Sequence, residues 1–424
     1  MEVLQKKLFD FLRDPEKISL YKQSSGDFSR SSALSFEVVV GSILNLFKES
    51  VEFNLQNILP SLSVRAVTGS AFSQARYKVK PEVFRDLLEF FKEPYCGLEK
   101  KLWKGHILLA GDGSTLNLPA SKDIEAYFGV HSVNQLGTKR YLARALLIYD
   151  VLNNFIVSGH ISSMKTGEKN LLREWLSTAL INDNHILILD RGFGNFCTFK
   201  ELLGKGMKFC VRLPTNNSNF AKRVIDDERE DFITRWEPSP KERENSRSNQ
   251  LDCVPIQVRV IKVRLTTGET EILVTNLSDQ QKYTSKDMAD LYKLRWGVEE
   301  GFKNLKPKMK IEQFGCKKAA GIFQEFYAHI FCINMVSLTG IVANKLIEKR
   351  TRHRKWKYKY NWKNAYRFIR EKLIEFLFCK ATSTLLDKWL KQISSSIVPE
   401  KPDRHFPRDT RSSNRKGRIT QFNK

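Results

Sequence analysis

What this 424-residue chain lacks narrows its class before any motif is read. Its seven cysteines, at positions 96, 197, 210, 253, 316, 332 and 379, include no C-x-x-C pair. An odd, scattered set fits a reducing compartment rather than a disulfide framework. The seven histidines form no H-x-x-x-H pair and no Cys/His cluster, so a zinc centre has no ligands to draw on and any metal would be held by carboxylates. The first residues, M-E-V-L-Q-K-K-L-F-D-F-L-R-D, carry early acids and no apolar segment followed by small residues, which argues against a secretory leader. The longest apolar stretch, around Ile330 to Val342, reads as too short and too interrupted to span a bilayer. The expected place is the cytoplasm, with no membrane partner. Internal repeats are absent.

Acid is also scarce. Asp and Glu number 47 against 71 Lys and Arg, for a net charge of +24 and a pI near 9.7, which favours a polyanionic partner. From Pro307 to Lys424 there are 27 Lys and Arg against 9 Asp and Glu, so most of the excess lies in the last quarter of the chain. It includes R-T-R-H-R-K-W-K-Y-K-Y from Arg350 to Tyr360, where rings interleave with cations. A nucleic acid would meet such a run through its phosphates, with the rings free to lie on sugars or bases; a membrane surface could also attract it.

The spacing predicts a helical region over residues 1–100. S-V-R-A-V-T-G-S-A-F-S-Q-A-R-Y-K-V-K within it reads either as a helix-turn-helix-like DNA reader turning at Gly69, with Ser70, Ser73, Gln74, Arg76 and Lys78 outward, or as a bundle with a polar face. From residue 101 the period changes to that of strands. Two strands meet at a tight Asn153–Asn154 turn, and helix, strand, helix and strand follow, with H-I-L-I-L-D ending a buried strand at Asp190. This is an α/β mixed sheet occupying 101–310. Residues 215–270 interrupt it as a mainly β insertion, and T-E-I-L-V-T-N-L resumes the sheet. Residues 311–398 read as a basic helical region, and 399–424, almost without apolar content, as a disordered basic tail.

The stretch that organises these parts is L-Y-K-L-R-W-G-V-E-E-G-F-K-N-L-K-P, residues 291–307, with Ser285 as an expected N-cap upstream. On a helix at about 100° per residue, Tyr292, Arg295, Glu299 and Lys306 fall on one face roughly 21 Å long, while Glu300 falls about 80° away. Such a stripe is either a site or a solvated surface with ion pairs such as Arg295 with Glu299. Two other carboxylates bear on the choice. Asp112, in G-D-G-S, and Asp190 each end an apolar strand, where a carboxylate is held rigidly beside a cleft. Each also has a structural reading, Asp112 as a turn residue and Asp190 as a cap. Asp150 competes as a ligand but precedes the hairpin turn. Three acids from three elements are what two divalent ions about 3.5–4 Å apart require. Oxygen ligands suit Mg²⁺, with Mn²⁺ as a substitute.

In type and spacing, Y-x2-R-x3-E-x6-K at Tyr292, Arg295, Glu299 and Lys306 resembles the signature of the bacterial insertion-sequence DDE transposases that share a Y-R-E-K motif. D-G-S-T at Asp112 and D-R-G-F at Asp190 are similar to that family's two aspartate motifs, in the same order. The resemblance covers about 100–310 and implies a ribonuclease H-like core with flanking helical regions. It further implies cleavage and strand transfer at the ends of an insertion sequence by a homodimer, the synaptic complex pairing two double-stranded terminal repeats before joining them to target DNA. By resemblance Asp112, Asp190 and Glu299 bind the metals and Tyr292, Arg295 and Lys306 hold terminal phosphates. A tryptophan from the insertion stacks on a flipped end base, for which Trp236 is the candidate, with burial in a core as its other reading. The alternatives are a DNA-binding protein that has lost catalysis and a nuclease of the same core without strand transfer.

Overall fold

The computed structural model describes residues 1–45, 50–180, 182, 184–215, 219–265, 268–295, 310–378 and 383–400. Nine strands form one sheet: β1 (Ile107–Leu118), β2 (Ser132–Val133), β3 (Lys139–Asp150), β4 (Phe155–Ser163), β5 (His185–Leu189), β6 (Lys208–Leu213), β7 (Asp231–Trp236), β8 (Ile256–Arg264) and β9 (Thr270–Thr275). The order is β2-β3-β1-β5-β6-β9-β8-β7, with β4 also paired to β3. β1, β5 and β6 are parallel and every other pairing is antiparallel. Within it, β4-β3-β1-β5-β6 is an antiparallel meander followed by two strands parallel to the first, the ribonuclease H-like arrangement. β3 and β4 join as expected through Asn153 and Asn154, the latter at φ 56°, a conformation that asparagine tolerates.

Helices surround the sheet. In chain order they are α1 (Glu2–Arg13), α2 (Pro15–Tyr21), α3 (Phe36–Asn45), α4 (Val51–Ile58), α5 (Gly69–Arg76), α6 (Glu82–Asp86), α7 (Lys92–Cys96) and α8 (Lys122–Phe128). Then come α9 (Glu168–Thr178), α10 (Phe196–Gly204), α11 (Asn219–Asp226), α12 (Pro240–Ser248), α13 (Ser285–Lys293), α14 (Ala319–Thr351), α15 (Trp362–Phe378) and α16 (Ser383–Ser395). A separate ribbon pairs β10 (Lys357–Tyr360) with β11 (Ile397–Glu400).

Because successive side chains of a strand alternate between faces, the strands divide cleanly. Leu109, Leu187, Leu189 and Val211 pack with apolar residues of α9, α10 and α11 on one face. Leu108, Ile186, Ile188 and Cys210 meet Met288, Leu291 and Tyr292 of α13 on the other. On that second face Ala110 of β1 and Leu147 and Tyr149 of β3 pack beneath α14 and the N-terminal helices.

α14 is the backbone of the core. Its 33 residues extend about 50 Å, and by length and composition it could cross a membrane, contrary to the reading of Ile330–Val342 as too short. Its apolar surface is instead spent inside the protein: 72% of its most apolar window is buried. Gly159 of β4 lets Ile330 approach the strand closely. Asn334 then accepts from the main-chain N–H of Ile156 and donates to its carbonyl, both at 2.9 Å, standing in for the missing neighbour of this edge strand.

The insertion is not a separate β unit. β7 and β8 continue the sheet beyond β9, α11 and α12 contribute helix, and Phe232, Trp236 and Ile256 share the core of β5 and β6. The buried guanidinium of Arg259 fastens it to α13, bonding Asp231 (2.7 and 2.5 Å) and the carbonyls of Leu277 (3.0 Å) and Tyr283 (2.8 Å). The N-cap of α13 is Thr284, in a capping box with Asp287, rather than Ser285, whose hydroxyl donates to Asp231.

Candidate active site

β1 and β5 pair in parallel from Ile107–His185 to Gly111–Leu189. One step further, at the same register, stand Asp112 and Asp190. Adjacent strands lie about 4.8 Å apart and residues in register share a face, so the two carboxylates sit side by side, on the face that α13 covers. Asp112 does not end its strand as expected: β1 runs on to Leu118, paired with β3 through Asp112–Leu147, and only the pairing with β5 stops. Its flanking glycines serve packing. A Cβ on Gly111 would lie 2.7 Å from Leu189 Cδ2, and one on Gly113 would collide with the Glu168 side chain. Asp190 is both candidate ligand and cap, its Oδ1 accepting from the Gly192 N–H at 2.9 Å at the start of a short 3₁₀ turn.

Asp150 is removed from contention. It is buried and accepts from the Tyr95 hydroxyl, from Asn153 Nδ2 (2.8 Å) and from the N–H groups of Leu152 (3.1 Å) and Asn153 (3.2 Å). Burial raises its carboxyl above the usual carboxylate range against the opposing pull of those bonds. It holds the β3–β4 turn to α7 through Tyr95, and Asn153 ties the same turn to Lys101 before β1.

Glu299 and Lys306, with Trp296, fall in 296–309, outside the described residues, and the single face running to Lys306 cannot be traced there. Among the described residues no group of three or more Asp, Glu, His or Cys side chains forms a metal site. The two ends of that segment are nevertheless placed. Before it, α13 lies over β5 and β6. After it, Glu312 Oε1 accepts from the Asn117 main chain and side chain, both at 3.0 Å, on β1 five residues past Asp112. The chain carrying Glu299 thus leaves one flank of the aspartate pair and returns to the other.

α13 itself ends at Lys293, and Arg295 lies in a turn closed by its N–H to the Tyr292 carbonyl at 3.0 Å. Tyr292 is buried against the sheet, and burial pushes its hydroxyl above the usual phenol range. The Arg295 guanidinium lies 5.7 Å from the Tyr292 ring. Sequence reasoning missed the residue beside them. β5 and β6 pair to Leu189–Val211, which puts Arg212 in register with Asp190 on the same face. Arg212 is half-buried and paired with Glu271 at 2.7 Å. The signal was a cation inside the apolar run F-C-V-R-L. Asp112, Asp190 and Arg212 form one row across three parallel strands, a cation beside the paired acids.

Trp236 corrects its expected role. It is 1% exposed, stacked on Phe220 with ring centroids 3.9 Å apart, and flanked by Phe199 and Phe196. Its core belongs to the face away from the aspartates, so the ring packs the protein rather than a base. In the N-terminal region α4 and α5 are joined by a 3₁₀ turn at Leu59–Leu62 and an extended stretch, so Gly69 opens α5 rather than turning the chain as expected; Ser70 and Gln74 are exposed, but Arg76 turns inward. Arg76 bonds Gln324 Oε1 (3.1 Å) and Glu325 Oε1 (3.2 Å) on α14, and Glu325 Oε2 accepts from Gly315 N (3.0 Å).

A ribonuclease H-like sheet with register-matched aspartates where the pairing of its central parallel strands stops defines the DDE class of nucleic-acid phosphoryl-transfer enzymes. Residues 103–335 match the family described as transposase DDE domain, and the chain belongs to that family: it is a DDE transposase of the bacterial insertion-sequence kind. Over 345 residues, 78% of this chain and 75% of that protein, it is 22% identical to the transposase InsG for insertion sequence element IS4 of Escherichia coli (strain K12). Among solved structures, a piggyBac transposase synaptic complex with hairpin DNA aligns with a TM-score of 0.49 at 11% identity, over 95% of this chain and 88% of that one.

Proposed function

We propose that the chain cuts and joins DNA at the ends of its insertion sequence, with Asp112, Asp190 and Glu299 as the catalytic carboxylates. The observation that carries this reading is the register of Asp112 with Asp190. Two hard carboxylates one strand spacing apart on one face fit Mg²⁺, or Mn²⁺ in its place, and Glu299 supplies the third ligand. When bound, the ions supply Lewis-acid polarisation of the attacking hydroxyl and of the leaving oxygen. The protein's part is positioning. The sheet fixes two carboxylates, the Asp190 cap to Gly192 orients one of them, and Arg295 and Lys306 hold terminal phosphates with Tyr292 packed beneath.

The order of events is attack by water at the end of the element, which frees a 3′-OH, and then attack by that hydroxyl on the target. Residues 1–100 read the double-stranded terminal repeats, 101–310 carry the chemistry, and 311–398 supply basic surface. A homodimer brings two ends together in the cytoplasm, at the nucleoid.

The test is full-length protein with end-labelled duplex carrying the repeats that flank its gene, in Mg²⁺, Mn²⁺ or EDTA, on a denaturing gel. Metal-dependent nicks at the repeat boundary followed by joined products are expected. Nicks without joining would leave a nuclease, and binding without nicks in either metal would leave a DNA-binding protein. Glu299→Gln should abolish cleavage and keep binding, while Glu300→Gln should leave cleavage largely intact; the reverse would overturn the assignment of the third carboxylate.

A further inference from the structure

The far end of α14 carries an ordered part of the basic surface assigned above to 311–398, and the inference drawn from it rests on that reading. Ile330 of α14 packs on Gly159, which pairs with Leu147, which pairs with Asp112, so this point of the helix is level with the aspartates. From there α14 passes Ile156 at Asn334 and reaches the carbonyl of Asn154 at Ser337, towards the β3–β4 turn and away from the carboxyl end of β1. Arg352 follows Ile330 by 22 residues, about 33 Å along a helix axis.

Beyond Thr351 the chain turns through residues 352–356 into β10, and this turn is held firmly. The Tyr360 ring packs on Gly340, the Tyr360 N–H donates to Asn344 Oδ1 at 3.2 Å, and Arg350 donates to the Ser394 carbonyl. Arg352, His353, Arg354, Lys355 and Lys357 are exposed, and Trp356 and Tyr358 are half-buried among them. The Arg354 guanidinium lies 5.1 Å from the Tyr358 ring and Lys355 Nζ lies 5.3 Å from that of Trp356. Among the described residues none of Arg352, Arg354, Lys355 and Lys357 has a carboxylate partner, whereas Lys359 is paired with Glu400. Arg352, Arg354 and Lys355, three cations on an ordered turn with rings beside them, make a surface for a repeating anion rather than part of an ion-pair network, while Lys357 stands opposite Glu400 in the β10–β11 ribbon.

We propose that this turn is a second duplex-binding surface, which grips phosphates of double-stranded DNA about one helical turn or more from the scissile phosphate. The offset of about 33 Å along the axis of α14 is close to the ~34–36 Å of one turn of the duplex. One copy can therefore hold the reacting end at its aspartates and a separate stretch of backbone here, without reading sequence.

The test compares full-length protein with the Arg352→Ala/Arg354→Ala/Lys355→Ala variant, binding a duplex of about three helical turns (~30 bp) in EDTA across a salt series, so that the outcome does not depend on cleavage. The slope of log affinity against log salt should become shallower by about 0.9 per contact removed. The loss should be equal on unrelated sequences. Arg354→Glu/Lys355→Glu, which alters only exposed side chains, should weaken binding further, and a photo-crosslinker at Tyr358 should label duplex rather than the end nucleotides. An unchanged slope in both variants, or crosslinks confined to the terminal base pairs, would overturn the proposal. So would loss of binding to phosphatidylserine vesicles with DNA binding intact, which would make the surface a membrane contact.

Discussion

Replacing Arg76 by methionine should destabilise the protein far more than a surface arginine would. The guanidinium is 1% exposed and bonded to Gln324 and Glu325, and Glu325, which also accepts from Gly315 N, loses its buried counter-charge once the cation is gone. Breaking one partner of a buried ion pair costs about 3–5 kcal/mol, because the other charge stays behind in a medium that solvates it poorly. That corresponds to a factor of roughly 140–3,700 in the folding constant, at about 1.4 kcal/mol per decade. Adding Glu325→Gln removes the stranded charge while leaving an amide oxygen for Gly315 N, so the double variant should recover a large part of the loss. Urea unfolding of the wild type, both singles and the double closes the cycle. Hydrogen exchange over 310–318 should also quicken in Arg76→Met, since Gly315 hangs on the same carboxylate. A single-variant loss below about 1 kcal/mol, the level of an exposed pair, would refute the reasoning.

Asp112→Asn and Asp190→Asn should each lower Mg²⁺-dependent nicking by at least about 10³-fold, a barrier change of about 4 kcal/mol, while gel-shift affinity in EDTA stays close to wild type; a variant that still nicks would remove that residue from the metal site. Trp236→Ala should cost about 3–5 kcal/mol in urea unfolding through the cavity it leaves, and Trp236→Phe much less. Loss of cleavage at unchanged stability would instead restore the base-stacking role. Burial raises the Asp150 carboxyl, so the folded state holds its proton more tightly than the unfolded chain. The stabilising contribution is complete below the ordinary carboxylate range and is lost as pH rises through the raised value. The denaturation midpoint of the wild type should fall across that window relative to Asp150→Asn, and parallel pH profiles would contradict the shift.

The chemistry was legible because it lies in short motifs, and the sheet because β5 and β6 are apolar runs of the right length. The parallel register that joins Asp112 to Asp190 was not, since pairing is decided between segments more than 70 residues apart. Arg212 was hidden for a related reason, since only the pairing of β5 with β6 places it beside Asp190. Trp236 misled because W-E-P-S-P fixes no direction, and Phe196, Phe199 and Phe220 that enclose it come from elsewhere in the chain. The insertion read as an interruption of the sheet because its polar loops dominate its composition, while the residues that join it to the core, Phe232, Val258 and Val260, are few. Arg76 looked like a DNA reader because its partners, Gln324 and Glu325, lie some 250 residues away.

The pairing of Asp112 with Asp190 has a consequence for how such a protein can change. Their spacing is a gauge cut into the main chain, set by backbone hydrogen bonds between strands that accept many different apolar side chains. Drift in those side chains leaves the gauge untouched. The gauge also allows no fine adjustment. Extending either aspartate to glutamate moves its oxygens by about one bond, ~1.5 Å, while the strand beneath cannot yield by half a rung, so the only neighbouring registers are a whole residue away and face the other side of the sheet.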